Sequence, residues 1–377
     1  MPNAMLRGGI STTALIAIII VVVAIIGILA YFLMAPGTPG APPTTTATTP
    51  TTVKPAKKFR VAVVVGGDKT DLGWNYKILT DAEEAAKAFG WELTEVTNVP
   101  FPQQEAILRN LAASGKYDMI IVGGNQFVSV IAKVAKDYPN VKFVQIPGWI
   151  QNATSNLVQL NVDFQVNGYY LAGILAGKMT KTGRLAVVIG QWFPPLSMEY
   201  HAFKAGVESV NPNATVWCVV AGTWTDPNLG MQIALSLIKE KKVDIIAQIA
   251  DATGRGVFAA AMTASVEYNG QKIPVKVIGT VADQVFLAPQ NTLVSVMLNF
   301  TKFYEYVYLH IVKGTWDKIG GKIISMDLSY LSSFHAFEKQ VPDDVKQLLA
   351  EAAEKIAKGE IKVPRIVTKS CPNPPPP

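Results

Sequence analysis

The feature that most constrains the fold is a series of unbroken apolar runs, rich in valine and isoleucine, that alternate with amphipathic stretches. The runs read FRVAVVVG, YDMIIVGG, VKFVQIPG, RLAVVIG, TVWCVVAG, VDIIAQIA and VKVIGTV. Stretches between them, such as DAEEAAKAFG and QEAILRNLAASG, have helical periodicity and end at glycine. Strands whose successive residues are all apolar are covered on both faces, as in a parallel sheet. The sequence therefore predicts an α/β fold built on doubly wound parallel sheets.

The number of these units predicts two lobes joined by a hinge. Roughly 300 residues of alternating strands and helices exceed a single compact domain, and a second series begins at Arg184, after the segment LVQLNVDFQVNGYY. The chain is expected to pass between the lobes near Val162, Val281 and Lys318. The predicted boundaries are 59–163 with 284–318 for lobe 1, 164–283 with 319–366 for lobe 2, and 367–377 for a Pro-rich tail.

An uncharged run from Ala14 to Met34 lies ahead of the lobes, and its 21 residues span about 30 Å as a helix. It predicts a transmembrane anchor preceded by a short segment, 1–13. Arg7 precedes the run and no charge follows it until Lys54, so the positive-inside rule places the rest of the chain outside the cytoplasm. A cleaved secretory signal is the alternative, although its apolar core would be shorter. The Pro- and Thr-rich segment 35–58 is expected to be an extended linker.

The sequence argues against several classes of function. Its net charge of +6 is spread at helix-surface spacing, which does not favour a nucleic-acid partner. VGGDKTDLG does not match the GxGxxG of a dinucleotide site, and neither a GxxxxGKS/T motif nor a GxSxG elbow occurs. The three histidines are far apart, and two cysteines, Cys218 and Cys371, are too few for a metal cluster. Their spacing does not decide whether they pair. We expect no metal, no cofactor and no catalytic residue.

The loops between strands and helices carry aromatic rings, amides and carboxylates. Ligands of open parallel sheets bind outside the carboxyl ends of the strands, so in a two-lobed protein these loops line the cleft. Trp74 in DLGWN and Trp224 in AGTWTDP occupy equivalent loops, one in each lobe, and Trp192 lies in GQWFPPLS. Two rings from opposite lobes can close on a flat heterocycle. The alternative is that both rings are core residues.

These loops resemble those of the basic membrane protein family, the purine-binding receptors of ABC importers, which share the two-lobed type I periplasmic binding-protein fold. The likeness runs from about Phe59 to Arg365 and is carried by DLGWNYK, AKDYPNVKF, YYLAGILAGKMTKTG, AGTWTDPNLG, ATGRGVFAAA and GTVADQ. It implies a base held between the rings of Trp74 and Trp224, and an ABC permease and ATPase as partner chains. The ligand-binding residues expected are Asp71, Trp74, Asn75, Gln126, Trp192, Trp224, Asp251, Thr253 and Asp283.

Several of these loop residues have a structural alternative. Asn75 follows the first ring as in the family, where a polar group nearby contacts the base edge, but it can instead be a helix N-cap. Asp226 precedes Pro227, which is typical of an N-cap followed by a first-turn proline, and is expected to be structural. Asp251 and Thr253 open the helix GRGVFAAAM, whose free N–H groups can receive a ligand oxygen.

The chain departs from the family pattern at the sugar-binding positions. Ser129 stands where much of the family has aspartate. Val281 stands at the first aspartate of the GVDSD loop, which holds the sugar in the nucleoside-binding branch, and VSVMLNF replaces the region of a following lysine. A buried ribose without partners would cost about 1–3 kcal/mol per unsatisfied group. A bare purine is therefore expected to bind at least as tightly as its nucleoside.

Together these patterns predict a membrane-anchored, extracytoplasmic substrate-binding protein that delivers a purine base or nucleoside to an ABC importer. Ligand binding is expected to close the lobes by a hinge. A surface sensor of the same fold and a nucleoside-processing enzyme are the two alternatives.

Overall fold

The computed structural model describes residues 58–372. The predicted N-terminal segment 1–13, the transmembrane run 14–34, the linker up to residue 57 and the last residues of the tail, 373–377, lie outside the described residues. Within 58–372, no helix is both long enough and apolar enough to cross a membrane.

The described chain alternates between strands and helices. The strands, in chain order, are β1 (Arg60–Val65), β2 (Glu92–Val96), β3 (Met119–Gly123), β4 (Lys142–Ile146), β5 (Leu157–Leu160), β6 (Arg184–Ile189), β7 (Thr215–Val220), β8 (Ile245–Ile249), β9 (Ser265–Tyr268), β10 (Gln271–Pro274), β11 (Lys276–Val281), β12 (Thr292–Leu298), β13 (Ile323–Ile324) and β14 (Ser329–Leu331). The α-helices are α1 (Trp74–Phe89), α2 (Gln104–Ala113), α3 (Val128–Asp137), α4 (Val166–Met179), α5 (Pro194–Val210), α6 (Pro227–Lys241), α7 (Asp251–Thr263), α8 (Thr301–Val312) and α9 (Asp343–Ala357).

Within the described residues, the strands form two six-stranded sheets and one hairpin. The first sheet has the order β13-β5-β4-β3-β1-β2, and every neighbouring pair is parallel. The second has the order β14-β12-β11-β8-β6-β7 and is parallel except for β14, which runs antiparallel to β12. β9 and β10 form the antiparallel hairpin. The prediction of an α/β fold with two parallel sheets is confirmed.

Helices cover both faces of each sheet, which explains the unbroken apolar runs. In the first sheet, α1 and α8 pack on one face and α2 and α3 on the other. In the second, α4, α5 and α9 pack on one face and α6 and α7 on the other. Side chains of β1 alternate between the two clusters of the first sheet, and Val61 through Val65 are all fully buried. Successive residues of one strand therefore serve two cores.

The chain crosses between the sheets three times: between β5 and α4, between β12 and α8, and between β13 and β14. We call the first sheet with α1, α2, α3 and α8 lobe 1, and the second sheet with the other helices lobe 2. The predicted boundaries at 284–318 and 319–366 are wrong, because β12 pairs with β11 in lobe 2 and β13 pairs with β5 in lobe 1. Val281 and Lys318 are therefore not crossing points.

Helix α5, which lines the cleft, is held close to α4 by two glycines. A Cβ at Gly173 of α4 would collide with the carbonyl of Phe203 on α5, and a Cβ at Gly206 of α5 would collide with the carbonyl of Tyr170 on α4. The two backbones approach so closely because neither glycine has a side chain. This contact sets the position of α5 in lobe 2.

The start of α6 follows the sequence pattern. Asp226 is its N-cap, and its carboxylate accepts a hydrogen bond from the N–H of Leu229 at 3.0 Å. Pro227 occupies the first turn, where its missing N–H has no cost. The structural role predicted for Asp226 is confirmed.

The described part of the C-terminal tail is tied to lobe 2. Cys371 forms a disulfide with Cys218 of β7, and their Cα atoms are 5.8 Å apart. Upstream, the N–H of Thr368 donates to the hydroxyl of Ser197, in the first turns of α5, at 2.9 Å. The cross-link closes a loop of more than 150 residues, so it constrains the unfolded chain strongly.

Candidate functional site

A cavity of about 270 Å³ lies between the lobes at the carboxyl ends of the strands. Lobe 1 contributes the loops that follow β1, β3 and β4, and lobe 2 contributes the ends of β8 and β11 together with the starts of α5 and α7. Open parallel sheets bind ligands at this position. The predicted site residues that line the cavity are Asp71, Trp74, Asn75, Gln126, Trp224 and Asp251.

Asp71 fixes the loop that leads into α1. Its carboxylate accepts hydrogen bonds from the backbone N–H groups of Gly73 (3.0 Å), Asn75 (2.7 Å) and Tyr76 (3.0 Å). The first N–H groups of a helix have no partner within it, so this carboxylate satisfies them. Asp71 lines the cavity, but its oxygens are engaged by its own loop, and it positions Trp74 at the start of α1.

Glycines at the strand ends allow two amide side chains to lie against the backbone. Asn75 Oδ1 accepts from the N–H of Gly67 at 3.2 Å, and its Nδ2 donates to Asp71 at 2.7 Å. A Cβ at Gly67 would lie 2.6 Å from Asn75 Nδ2, and one at Gly66 would lie 2.6 Å from Gln126 Nε2. Asn75 is the second residue of α1, so its N-cap alternative is wrong.

The ring of Trp74 packs against two phenylalanines. Its ring meets Phe300 edge-on, with 5.3 Å between centroids, and meets Phe164 at 6.0 Å. Its Nε1 is buried and has no hydrogen-bond partner among the described residues. Buried indole N–H groups normally find an acceptor, so this donor is available to a ligand.

Trp224 covers the carboxyl end of β6 in lobe 2. Gly190 directly follows that strand, and a Cβ there would collide with the Trp224 ring. The hydroxyl of Thr253 holds the Trp224 loop, because it accepts from the N–H of Asp226 at 2.9 Å and donates to the carbonyl of Thr223 at 3.1 Å. Thr253 is fully buried and does not line the cavity. In this structure it positions Trp224, and its contact with a ligand stays a prediction.

Two other residues predicted to bind the ligand do not line the cavity. Trp192 Nε1 donates to the carbonyl of Thr368 at 2.8 Å, and its ring packs against the core of lobe 2. The Asp283 carboxylate accepts from the N–H of Val285 at 3.2 Å and lies 3.0 Å from His335 Nε2. Segments distant in sequence therefore engage both groups, and their contact with a ligand stays a prediction.

The polar floor of the cavity, formed by Glu199 and Gln165, is absent from the residues predicted from sequence. Glu199 is fully buried, Gln165 is 2% exposed, and Gln165 Nε2 donates to Glu199 Oε1. Burial raises the pKa of Glu199 to about 8, so this side chain is neutral at pH 7. The sequence does carry a signal: Glu199 lies three residues after Leu196 and four before Phe203, on the apolar face of α5.

Hydrogen bonds between the lobes close the mouth of the cavity. The guanidinium of Arg255 in α7 donates to the carbonyl of Thr70 in lobe 1. The backbone N–H of Trp74 lies 3.4 Å from Oδ1 of Asp251, which begins α7. The helix starts of both lobes therefore face each other directly across the cleft.

Asp251 carries both electrostatic and backbone strain. Removal from water, together with the negative charge of Asp71, raises its pKa. Its φ of 47° is in the left-handed region, and so is the φ of 67° at Val281, a β-branched residue that also lines the cavity. Strained backbone of this kind clusters at ligand-binding sites.

Comparisons with known proteins agree with this geometry. Residues 58–366 match the model of a family described as ABC transporter substrate-binding protein, PnrA-like. The chain belongs to this PnrA-like family. A purine-binding protein of Brucella abortus is 27% identical over 311 residues, which cover 81% of this chain and 83% of the relative. Basic membrane protein C of Borreliella burgdorferi is 26% identical over 277 residues, which cover 68% and 76% of the two chains.

A solved structure has the same fold as this PnrA-like protein. The solute-binding protein of an ABC transporter system from Aeropyrum pernix superposes with a TM-score of 0.70 and 22% identity, covering 81% of this chain and 94% of that one. The predicted family is thus confirmed, and the protein is a substrate-binding protein of an ABC transport system. Its partners are accordingly a small-molecule ligand and the permease and ATPase of that system.

The substitution Asp251→Asn should stabilise this PnrA-like protein increasingly as the pH rises. Because the pKa of Asp251 is raised in the folded protein, the folded state holds this proton more tightly than the unfolded chain. The contribution of Asp251 to stability is therefore lost as the pH rises from about 4 through the raised pKa. Asparagine does not ionise, so the melting temperature of the variant relative to wild type should be higher at about pH 8.5 than at about pH 5.

The control for this measurement is Asp317→Asn, at an exposed turn of lobe 1. It should leave the pH dependence of the melting temperature unchanged. If Asp251→Asn also gives a curve parallel to that of wild type, the electrostatic strain at Asp251 is refuted.

Proposed function

We propose that this protein is the membrane-anchored, extracytoplasmic receptor of an ABC importer and that it binds a purine base or nucleoside between Trp74 and Trp224. The observation that carries the proposal is that two tryptophans, one from each lobe, line the same cavity. The Brucella abortus relative, which is named as a purine-binding protein, supports this ligand class.

The chemistry of the cavity suits a small flat heterocycle. Its volume of about 270 Å³ is just below the usual range for ligand sites, roughly 300–1,000 Å³. Aromatic rings provide stacking surfaces for a planar base, while the buried Oε2 of Glu199 lacks a partner among the described residues and can contact the edge of the base. The protein performs no reaction on this ligand. Closure of the lobes presents the bound state to the permease.

The preference for a base over a nucleoside rests on Val281. This valine lines the cavity at the position where the nucleoside-binding pattern has an aspartate, so a ribose near it would find an apolar wall. Each unsatisfied hydroxyl would cost about 1–3 kcal/mol. We therefore favour a bare purine as the ligand.

The anchor proposal rests on the uncharged run from Ala14 to Met34. The full chain should sediment with membranes, because this run is long enough to span a bilayer, and a chain that begins at Lys57 should stay soluble. Fractionation of cells expressing each form, followed by immunoblotting, measures this. Recovery of the native protein in the medium, cut after Met34, would show that the run is a cleaved signal.

Removing either cavity tryptophan should weaken purine binding. Stacking of a base on an aromatic ring is worth about 1–3 kcal/mol, so Trp74→Ala and Trp224→Ala should each raise the Kd by about 10-fold to 100-fold in calorimetry. Trp192→Phe is the matched control, because Trp192 lies outside the cavity lining. Wild-type affinity in both alanine variants, with folding verified by circular dichroism, would remove these rings from the binding site.

Calorimetry against adenine, adenosine, guanine and guanosine tests the ligand class. Each base should bind at least as tightly as its nucleoside. Val281→Asp should shift the ratio of affinities toward the nucleoside, because a carboxylate can accept hydrogen bonds from ribose hydroxyls, whereas Val281→Ala should not.

A nucleoside bound about tenfold more tightly than its base by wild type would reverse the preference. Recovery of free base from an incubated nucleoside would indicate an enzyme instead.

A further inference from the structure

Glu199 and Gln165 form a pair of side chains at the cavity that no structural role accounts for. Both are almost completely removed from solvent, and both line the cavity. Gln165 Nε2 donates to Glu199 Oε1, which leaves Glu199 Oε2 and Gln165 Oε1 without a hydrogen-bond partner among the described residues. Two adjacent unpaired oxygens are unusual, since a buried polar atom without a partner costs about 1–3 kcal/mol.

The surrounding elements hold this pair in place without satisfying it. Glu199 is on α5, whose distance from α4 is set by the contacts at Gly173 and Gly206. Gln165 is the N-cap residue of α4, directly after the first crossing between the lobes. The titratable neighbour that responds to the pair is Tyr169, whose hydroxyl hydrogen-bonds to that of Thr280 at 2.5 Å: burial, and then the negative charges of Glu199 and Asp251, raise its pKa. The causes of the Glu199 pKa shift include no cation.

We propose that Glu199 and Gln165 together read the hydrogen-bonding edge of the ligand and select an edge that has a ring-nitrogen acceptor beside an amino donor. This inference rests on the proposed function, because it assigns the polar recognition of the same ligand. The two tryptophans accept any flat ring, so they cannot distinguish one purine from another. The Glu199–Gln165 pair supplies that distinction.

The direction of each hydrogen bond follows from the pair itself. The amide nitrogen of Gln165 is engaged by Glu199, so Gln165 presents only its carbonyl oxygen, and the ligand must donate there. Burial keeps Glu199 protonated at neutral pH, so its second oxygen carries a hydrogen and donates to the ligand. The amidine edge of adenine, with an amino group next to a ring nitrogen, is complementary to this arrangement. The edge of guanine that presents two neighbouring donors requires Glu199 to ionise.

Calorimetry of wild type, Glu199→Gln and Glu199→Leu against adenine and guanine tests the inference. In Glu199→Gln, the new carbonyl accepts from Gln165 and the new amide nitrogen donates into the cavity, so adenine affinity should stay within about threefold. Guanine bound through its two neighbouring donors, the N1–H and the amino group, should lose affinity by about tenfold or more, because the variant can no longer become an acceptor by ionising. Glu199→Leu removes the donor and should weaken adenine binding by about tenfold or more.

The pH dependence separates ligand reading from a purely structural role. Wild-type affinity for adenine should fall as the pH rises through about 8, because ionised Glu199 loses its donor. Glu199→Gln should lack this component. Asp251 and Tyr169 are present in both proteins, so the component of the pH curve that Glu199→Gln lacks is assigned to Glu199. Glu208→Gln, at an exposed position on the same helix, is the matched control and should behave as wild type.

The outcomes distinguish this inference from the proposed function. If wild type binds none of adenine, guanine, adenosine and guanosine, both fail. If wild type binds adenine and both Glu199 variants bind the two bases with wild-type affinity and the same pH curve, the inference alone is overturned. If Glu199→Gln does not fold, the Glu199→Leu variant and the wild-type pH curve decide. The inference is overturned if Glu199→Leu binds adenine with wild-type affinity, or if the adenine affinity of wild type does not change with pH.

Discussion

Burial of both faces of the two sheets decides where this protein can bind a ligand. The inner strands of each sheet, such as β1, β3 and β8, are mostly apolar and are inaccessible along nearly their whole length. Polar side chains can therefore reach open space only where the strands end and the loops begin. Because the carboxyl ends of both sheets face the same cleft, these loops form a single cavity. The site is a consequence of how the sheets are covered, and the loop residues determine its chemistry.

The groups that form the cavity are positioned by residues that do not need to touch the ligand. Asp71 holds the start of α1 through three backbone N–H groups, and Thr253 holds the loop of Trp224. The aromatic surfaces are thus organised before a ligand arrives, which reduces the entropy lost on binding. Polar atoms such as Glu199 Oε2 remain without partners among the described residues, so a ligand that satisfies them gains binding free energy.

Much of the architecture and part of the site could be predicted from the sequence. The apolar runs became strands of two parallel sheets, and Asp226 became the N-cap of α6. Trp74 and Trp224 line the cavity because each lies in a loop that follows a strand of a parallel sheet, and these loops lie at the cleft. These inferences succeeded because they depend on local periodicity, on capping chemistry within a few residues, and on a general rule for strand ends.

Other features depended on contacts between distant segments. Because β12 pairs with β11, the lobe boundary differs from the predicted one. The distant residues His335 and Thr368 contact the polar groups of Asp283 and Trp192, which do not line the cavity. Glu199 faces the cavity because close packing of α4 and α5 brings it to Gln165, 34 residues away. The sequence by itself determined the strands, the helix starts and the loops that reach the cleft, since local chemistry specifies them. Only the tertiary structure decided which loop side chains remain open to a ligand, because that depends on which distant groups have already engaged them.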